Sequence, residues 1–351
     1  MSYDIGNISL TVAGESHAAA LSVILEGIKS GIEIDKLELL RFMQRRAPGK
    51  DRFSTTRKEA DVPIILSGIK DGYTTGSPIS AIIENNNTRS EDYGEKLNLV
   101  RPGHADYPAS VKFGDSFNFH GGGQFSGRLT AALCFAGAIA KQVLSKRGVS
   151  VNAHISSIYG IEDESYKNGI CDISLKAFPV ISDEMGEKMM QAIDHARNNG
   201  DSVGGSIECA VSGLPAGIGD ALYEGIDGEI SKAVFAIPAV KGIEFGAGFE
   251  VCSMLGSENN DSYYVEDDVI KTRTNNHGGV LGGMTTGMPI LFNVAIKPTP
   301  SISKEQDTVS IIDKSSAKLQ IKGRHDPCIV QRAVPVVEAM AALAVLGKID
   351  D

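Results

Sequence analysis

Two long apolar stretches limit what this chain can fold into. One is LTAALCFAGAIAKQVL at 129–144, and the other is VQRAVPVVEAMAALAVLG at 330–347. Each is apolar almost all the way round a helical wheel, so each predicts a helix that is buried on most of its sides. The chain therefore needs a fold that encloses a layer of helices.

Short strand-like segments supply the surrounding layers. They include residues 6–12 and 20–27, VPIILSG at 62–68 and SPISAIIEN at 77–85. IDKLELLRFMQRR at 34–46 has apolar residues at helical spacing, and Asp35 and Glu38 stand where an N-terminal capping pair would.

The second half alternates strand-like runs with helices predicted at about 183–198 and 221–234. We also expect a strand pair at 241–256 and a long loop at 257–277, which is polar. No Pro/Ser-rich linker divides the chain. The fold prediction is α+β: a single-domain β-α-β sandwich over residues 1–351, with buried central helices between antiparallel sheets.

Composition excludes several classes of protein. A net charge of −10 over 351 residues argues against a broad nucleic-acid-binding face. The five cysteines are odd in number and far apart, which predicts free thiols in a reducing cytoplasm rather than disulfides or a zinc site. The N-terminus lacks the features of a signal peptide, and we expect no apolar run near the roughly 20 residues of a membrane helix.

The segment RPGHADYPASVKFGDSFNFHGGGQFSGR at 101–128 is the richest in chemical signals. His104 lies in a tight turn, and the glycines at 121–123 lead into the first apolar helix. A glycine loop before a helix N-terminus suits an anion, and a histidine offers proton transfer near neutral pH. The alternative interpretation is a turn that needs glycine for its backbone, next to an ordinary surface histidine.

Three tight turns carry titratable groups: GESH at 14–17, GHAD at 103–106 and RHDP at 324–327. Two histidines and an aspartate in such turns are candidate general acids and bases. No phosphate-binding GxxxxGK[ST] loop or dinucleotide-binding GxGxxG occurs, and the histidine spacing does not indicate a metal site. Arginines around these turns suit carboxylate or phosphate groups, and they are Arg46, Arg52, Arg101, Arg128, Arg324 and Arg332.

Taken together, the motifs resemble those of the chorismate synthase family over nearly the whole chain. Their order and spacing carry the resemblance: GESH at 14–17, RRAPG at 45–49, TTRKEAD at 55–61, TTGSPI at 74–79, RSEDY at 89–93, RPGHADY at 101–107, GAIAK at 137–141, PAVKGIEFGAGF at 238–249, GGVLGG at 278–283, KPTPS at 297–301 and GRHDPC at 323–328.

The resemblance implies a carbon–oxygen lyase that acts in the last step of the shikimate pathway. Phosphate leaves 5-enolpyruvylshikimate 3-phosphate in a 1,4-elimination that requires reduced FMN and yields chorismate. His17 would then protonate the leaving phosphate, and His104 would protonate or steady the reduced flavin. Asp326 would assist removal of the ring proton.

Binding roles are also implied by the resemblance. Arg46, Arg52 and Arg128 would bind the substrate or NADP, with Arg324 near both ligands. The resemblance further implies a homotetramer, NADPH as a possible reductant and, because no reductase domain is present, an external flavin reductant. The implied FMN contacts are Gln124, Phe125, Ser126, Pro238, Ala239, Gly282, Lys297, Pro298, Thr299, Pro300, Ser301 and Arg324.

The glycine loop departs from the family pattern RGGGRSSARET. Here the sequence is HGGGQFSGRLT at 120–130, with Gln124, Phe125 and Leu129 at changed positions, and Ala18 follows GESH in place of glycine. Loss of a charge-assisted hydrogen bond to a phosphate would cost roughly 1.5–3 kcal/mol if nothing replaced it.

Two further functions are compatible with the same signals. A flavin reductase would consume NADPH without a phosphorylated substrate, and a non-catalytic binder of anionic metabolites would bind without turnover. The remaining histidines His154, His195 and His277 are expected to be structural or solvated, and His325 is expected to pack in the turn that presents Asp326.

Overall fold

Both apolar stretches form helices, and they pack against each other between two antiparallel sheets. The computed structural model describes residues 1–49, 59–86, 99–114, 121–321 and 326–349. Within these ranges the first apolar helix, α3, spans Thr130–Ser145, and the second, α7, spans Val330–Ile349. Gly137 permits their close approach, since a Cβ there would lie 2.2 Å from Cβ of Ala339.

One sheet, formed by strands from the N-terminal part of the chain, covers one side of the central helices. Its order is β1-β2-β3-β7-β4, and every neighbouring pair is antiparallel. Apolar side chains alternate toward the helices, as in β7, where Ile79, Ala81 and Ile83 are buried. The strands are β1 Ser2–Ile5, β2 Ile8–Ala13, β3 Ala20–Glu26, β4 Pro63–Ser67 and β7 Ile79–Glu84, with a small hairpin of β5 Ile69–Lys70 and β6 Tyr73–Thr74.

A second five-stranded sheet covers the opposite side. Its order is β11-β16-β10-β8-β9, again antiparallel throughout. One cluster of buried apolar residues runs from the first sheet through α3 and α7 to the second. The predicted β-α-β sandwich is confirmed. The strands are β8 Ser150–Ile158, β9 Ile161–Glu162, β10 Gly205–Ser212, β11 Val240–Phe245 and β16 Ile290–Ile296.

The described ranges contain four other helices and a fifth that is a single turn. Helix α1, at Lys36–Arg46, begins where Asp35 accepts hydrogen bonds from the backbone N–H groups of Leu37 and Glu38, which confirms the Asp35 half of the predicted capping pair. The N–H of Asp35 donates to Gln142 and not to Glu38. Gln142 of α3 exchanges two hydrogen bonds with the backbone of Asp35. The others are α2 Asp106–Phe113, α4 Asp183–Asn198, α5 Ile226–Phe235 and α6 Gly256–Asn259.

Two predictions for the second half were wrong. The strand pair expected at 241–256 is one strand, β11, followed by a 3-10 turn at Gly248–Ser253, because left-handed glycines at 246 and 248 break the extended chain. The loop expected at 257–277 contains α6 and a hairpin. The remaining strands are β12 Tyr263–Glu266, β13 Val269–Thr272, β14 Val280–Leu281, β15 Met284–Thr285, β17 Gln306–Ser310 and β18 Ser315–Leu319.

The apolar length of α7 was underestimated from the sequence. Its 20 residues are long and apolar enough to cross a membrane, but 94% of its most apolar window is buried inside the protein. Helix α7 is therefore a core helix of this fold. Its one carboxylate, Glu338, is paired with Arg45 and Lys141. All five cysteines are free thiols, as predicted, and three are buried.

Candidate active site

A cavity of about 420 Å³ opens where α1 and α5 end and where α3 and α7 begin. The two central helices point their N-termini toward it, an orientation that favours bound anions. The wall combines apolar side chains with polar and charged ones. Its charged or titratable members are Arg46, Glu59, Arg101, His104, Arg128, Lys297, Asp326 and Arg332.

His104 is held by an acid two residues away. Its Nδ1 lies 2.6 Å from Oδ1 of Asp106. Arg101 binds the same carboxylate with Nε at 2.7 Å and Nη2 at 2.6 Å. Although burial opposes ionisation of Asp106, the hydrogen bonds from Arg101 and His104 outweigh it and lower the pKa of this carboxyl well below its ordinary value. Asp106 therefore stays charged and fixes the orientation of the imidazole.

Arg101 also connects the histidine turn to the glycine loop, because its Nη2 donates to the carbonyl of Gly121 at 2.6 Å. On the other side of that loop lies His17. A Cβ at Gly121 would stand 2.2 Å from Cε1 of His17, so the ring packs directly on the glycine. Ser16 Oγ is 2.8 Å from Nδ1 of His17. His17 itself is not part of the described cavity wall, whereas the next loop residue, Gly122, is.

Arg46 and Arg128 come together on one buried carboxylate. Asp61 Oδ2 is 2.5 Å from Nη1 of Arg46, and its Oδ1 accepts from Nη1 of Arg128. Glu59 adds a second carboxylate, 3.2 Å from Arg128. The guanidinium of Arg46 faces Asp61 and the cavity.

Asp326 pairs with the first turn of α7. Arg332 Nη1 lies 2.6 Å from Asp326 Oδ2, and Arg332 Nε donates to the carbonyl of Arg46 at 3.0 Å. Arg46 is the last residue of α1, so this bond also satisfies a carbonyl that the helix leaves open. Arg332 thereby joins the ends of two helices at the cavity.

The predicted FMN contacts fall into three groups. Among the residues that the structure describes, the cavity wall leaves out Gln124, Pro298 and Gly282. Arg324, like the predicted substrate residue Arg52 and the turn residue His325, lies outside the described ranges. The cavity does bring together Phe125, Ser126, Pro238, Ala239, Lys297, Thr299, Pro300 and Ser301.

Two features of that third group are unusual. Ala239 has φ of +77°, a left-handed backbone that costs a residue with a side chain about 1–3 kcal/mol and that is common at functional sites. Lys297 donates to the carbonyl of Gly103, and burial, with Lys241 nearby, lowers the pKa of its ammonium group. In addition, Phe125 stands at a loop position that differs from the family pattern, and it packs against Phe113 with ring centroids 6.3 Å apart.

Sequence reasoning missed three carboxylates: Glu59, Asp61 and Asp106. The first two lie in the TTRKEAD motif, which marked the family without suggesting roles for its acids. Asp106 was visible as part of the histidine turn but was given no function. The sequence did carry a signal for these acids. Asp106 stands two residues from a histidine, and Glu59 and Asp61 follow a basic segment. The other histidines are as expected: His154 is fully buried, His195 is exposed and His277 contacts Asp261.

The cavity has the size of a small-molecule site, and the basic side chains in its wall suit an anion. Sequence comparison is more specific, because the family model described as "Chorismate synthase" matches residues 8–349. The chain belongs to the chorismate synthase family.

Individual relatives agree with this assignment. The chain is 45% identical over 336 residues to chorismate synthase of Thermococcus gammatolerans, covering 95% of this chain and 94% of the relative. It is 43% identical over 338 residues to that of Korarchaeum cryptofilum, covering 96% and 94%. A crystal structure of a chorismate synthase superposes with a TM-score of 0.77 at 28% identity, covering 98% of this chain and 92% of that one.

Proposed function

We propose that this chain catalyses the 1,4-elimination of phosphate from 5-enolpyruvylshikimate 3-phosphate to give chorismate, with reduced FMN as cofactor. The observation that carries the proposal is one cavity that combines an arginine wall with a His–Asp pair. Family membership supports the reaction. We propose further that residues 1–351 act as one domain, in keeping with the single apolar cluster that spans both sheets.

The substrate carries two carboxylates and a phosphate, so it needs several cations around it. Arg46 and Arg128 are the proposed ligands within the described wall, and Arg52 and Arg324 remain predicted ligands or, for Arg52, an NADP contact. Both described arginines are almost completely buried, with residue exposures of 4% and 5%. Buried charges of this kind bind anions more strongly than solvated ones.

The cavity fits a flavin on chemical grounds. Phe125, Pro238, Ala239 and Pro300 offer apolar surface for a ring system. Within the described residues the buried Oγ1 of Thr299 has no hydrogen-bond partner, a vacancy that suits a polar ring edge. A volume of about 420 Å³ lies in the range of small-molecule sites. When bound, reduced FMN supplies electron density to the departing phosphate and recovers it afterwards.

Proton handling falls to the residues around the cavity. His104, with Nδ1 held by Asp106, presents its other ring nitrogen and serves as the acid on the flavin side. His17 packs on Gly121 outside the described wall, and it is the proposed donor of a proton to the leaving phosphate. Asp326, steadied by its ion pair with Arg332, accepts the ring proton or assists its removal.

The proposal extends to partners and location. Seven of the strongly exposed apolar side chains lie between residues 222 and 270, which supports the predicted homotetramer because such surface is usually covered. We place the enzyme in the cytoplasm, with NADPH or an external flavin reductant as the electron source. The exposed set is Leu222, Tyr223, Phe249, Leu255, Tyr263, Val265 and Ile270.

The test is an anaerobic assay with reduced FMN and 5-enolpyruvylshikimate 3-phosphate. We expect phosphate release and chorismate formation in equal amounts. Absence of both overturns the proposal, and steady NADPH consumption without substrate identifies a flavin reductase instead. In the same assay His17→Ala should reduce turnover far more than FMN affinity, since its role is in proton transfer. Equal losses in both would contradict that role.

A further inference from the structure

We propose that Asp61 is a positioning residue that holds Arg46 and Arg128 in the arrangement that receives the anionic groups of the substrate. The inference rests on the proposed function, because it takes these arginines as substrate ligands. Asp61 itself does not line the cavity, and its side chain is completely buried, with 0% exposure. It acts through the two guanidiniums.

Every nitrogen of the Arg46 guanidinium has a partner in the protein. Nη1 pairs with Asp61 Oδ2 at 2.5 Å, Nε donates to Thr130 Oγ1 at 2.9 Å, and Nη2 donates to the carbonyl of Gly127 at 3.1 Å. Thr130 and Gly127 belong to the segment that starts α3. Arg46 is therefore fixed between the end of α1 and the start of α3.

Arg128 is fixed in the same way from the opposite side. Its Nη1 pairs with Asp61 Oδ1, Nε donates to Asn85 Oδ1 at 2.7 Å, and Nη2 donates to the carbonyl of Glu84 at 3.0 Å. Glu84 ends β7. The side chain of Asp61 thus joins both guanidiniums.

The two arginines need a shared anion because they repel each other. Burial and the neighbouring Arg46 lower the pKa of Arg128, and Asp61 opposes both effects. Burial also disfavours the charged form of Asp61, which for an acid raises the pKa. The two guanidiniums outweigh this effect and lower the pKa of Asp61 below its ordinary value. Asp61 therefore stays ionised, and Glu59 contributes the second negative charge of the group.

The backbone at Asp61 supports a positioning role. Its φ is +49°, in the left-handed region, and the chain enters β4 two residues later. Aspartate tolerates this conformation better than most residues, and strained backbone of this kind is concentrated at functional sites. The conformation turns the carboxylate inward, between the two arginines.

Only a carboxylate can satisfy both arginines. An asparagine keeps one oxygen acceptor but replaces the other with an NH₂ donor, which would meet a guanidinium N–H. Asp61→Asn should therefore release one arginine without changing the shape of the side chain. Asp61→Gly removes the carboxylate and suits the left-handed backbone, and it leaves a space that formate can occupy.

The experiment measures KM and kcat for 5-enolpyruvylshikimate 3-phosphate at saturating reduced FMN under anaerobic conditions. Glu338→Gln is the matched control, because Glu338 is also a buried carboxylate shared by two cations but does not line the cavity. We expect Asp61→Asn to raise KM by about tenfold or more and to change kcat less than about threefold. Formate should restore the KM of Asp61→Gly, and the control should keep the wild-type KM.

Several outcomes would overturn the inference. An unchanged KM would remove the positioning role, and a lower KM would show that Asp61 competes with the substrate for the arginines. Equal losses of kcat, FMN affinity and substrate affinity would indicate a structural residue only. So would failure of both Asp61 variants to fold when Glu338→Gln does fold. An inactive wild-type enzyme would instead overturn the proposed function, so the two failures are distinguishable.

Discussion

His17 packs directly on the backbone of Gly121: a Cβ at Gly121 would lie 2.2 Å from Cε1 and 2.4 Å from Nδ1 of the imidazole. Gly121 also has φ of +63°, which disfavours any side chain. The glycine loop is therefore shaped around the histidine, and its first glycine is required for contact as well as for backbone freedom.

Replacing Gly121 with alanine should displace His17 from its position. Because a shift of about 1 Å in a reacting group can reduce a rate by about 100-fold, we expect a loss of that order in kcat for phosphate release. Gly160→Ala is the control, since Gly160 has a similar φ of +78° but nothing within 4 Å of an added Cβ. A kcat equal to that of the control would show that His17 does not depend on the loop.

The pair formed by His104 and Asp106 should be essential for turnover. Asp106→Asn keeps an acceptor for His104 but removes the negative charge that stabilises the protonated imidazole. We expect kcat to fall by about 100-fold or more, because general acid–base catalysis contributes about 10² to 10⁴.

Asp261→Asn is a suitable comparison for this variant. Asp261 lies 3.8 Å from His277, away from the cavity wall, so its loss should leave kcat near the wild-type value. If Asp106→Asn lowered kcat no more than Asp261→Asn does, the His104–Asp106 pair would not be needed for turnover.

The layered fold was predictable because the apolar patterns leave few alternatives. A segment such as 129–144 can be stable in water only inside a protein, so the sandwich follows from the helices it must cover. The start of α3 at Thr130 was within one residue of the predicted one. The capping of α1 by Asp35 was equally readable, since the signal is local.

Features that depend on distant partners were not predictable in this way. The hairpin of β12 and β13 is local, but it was predicted as loop because polar stretches flank it and its short strands, YYVE and VIKT, are exposed. Asp267 and Asp268 are both left-handed, as a tight hairpin turn requires. Asp61 is separated by 15 residues from Arg46 and by 67 from Arg128. The sequence gives no reason for these three to meet, so their arrangement needed the structure.

Ionised Glu338 should stabilise the protein near neutral pH, and this stabilisation should be lost at acid pH. Burial opposes its ionisation, but Arg45 and Lys141 lower its pKa from 4.5 to about 2. A depressed folded-state pKa contributes stability above the unfolded value and loses it as pH falls from about 4.5 toward 2. A shift of this size corresponds to about 3 kcal/mol at pH 7.

Urea unfolding at several pH values measures this contribution. We expect Glu338→Gln to lower the free energy of unfolding by about 3 kcal/mol at pH 7, with a smaller difference from wild type at pH 3. Glu184→Gln, which removes an exposed pair with Lys188, should have no detectable effect at either pH. A difference for Glu338→Gln that is independent of pH would contradict the assignment.

His154 should give the opposite pH dependence. Its Nε2 lies 2.8 Å from Glu208 Oε2, and its Nδ1 lies 3.1 Å from Asp163 Oδ2. Burial favours the neutral ring, yet the two carboxylates outweigh it and raise the pKa of His154 above 6.5. A raised folded-state pKa contributes stability that is complete below the unfolded pKa of about 6.5 and is lost as pH rises through the folded value.

His154→Gln should therefore cost most at low pH, where it leaves two buried carboxylates without their cation. We expect a decrease in the free energy of unfolding of roughly 3 kcal/mol at pH 6, shrinking as pH rises toward 9. Chemical denaturation of wild type, His154→Gln and the control His195→Gln at these pH values measures the difference. His195 is exposed on α4, so its variant should follow wild type throughout. A constant deficit for His154→Gln would mean that the imidazole is neutral in the folded protein, and that the two carboxylates hold it by hydrogen bonding alone.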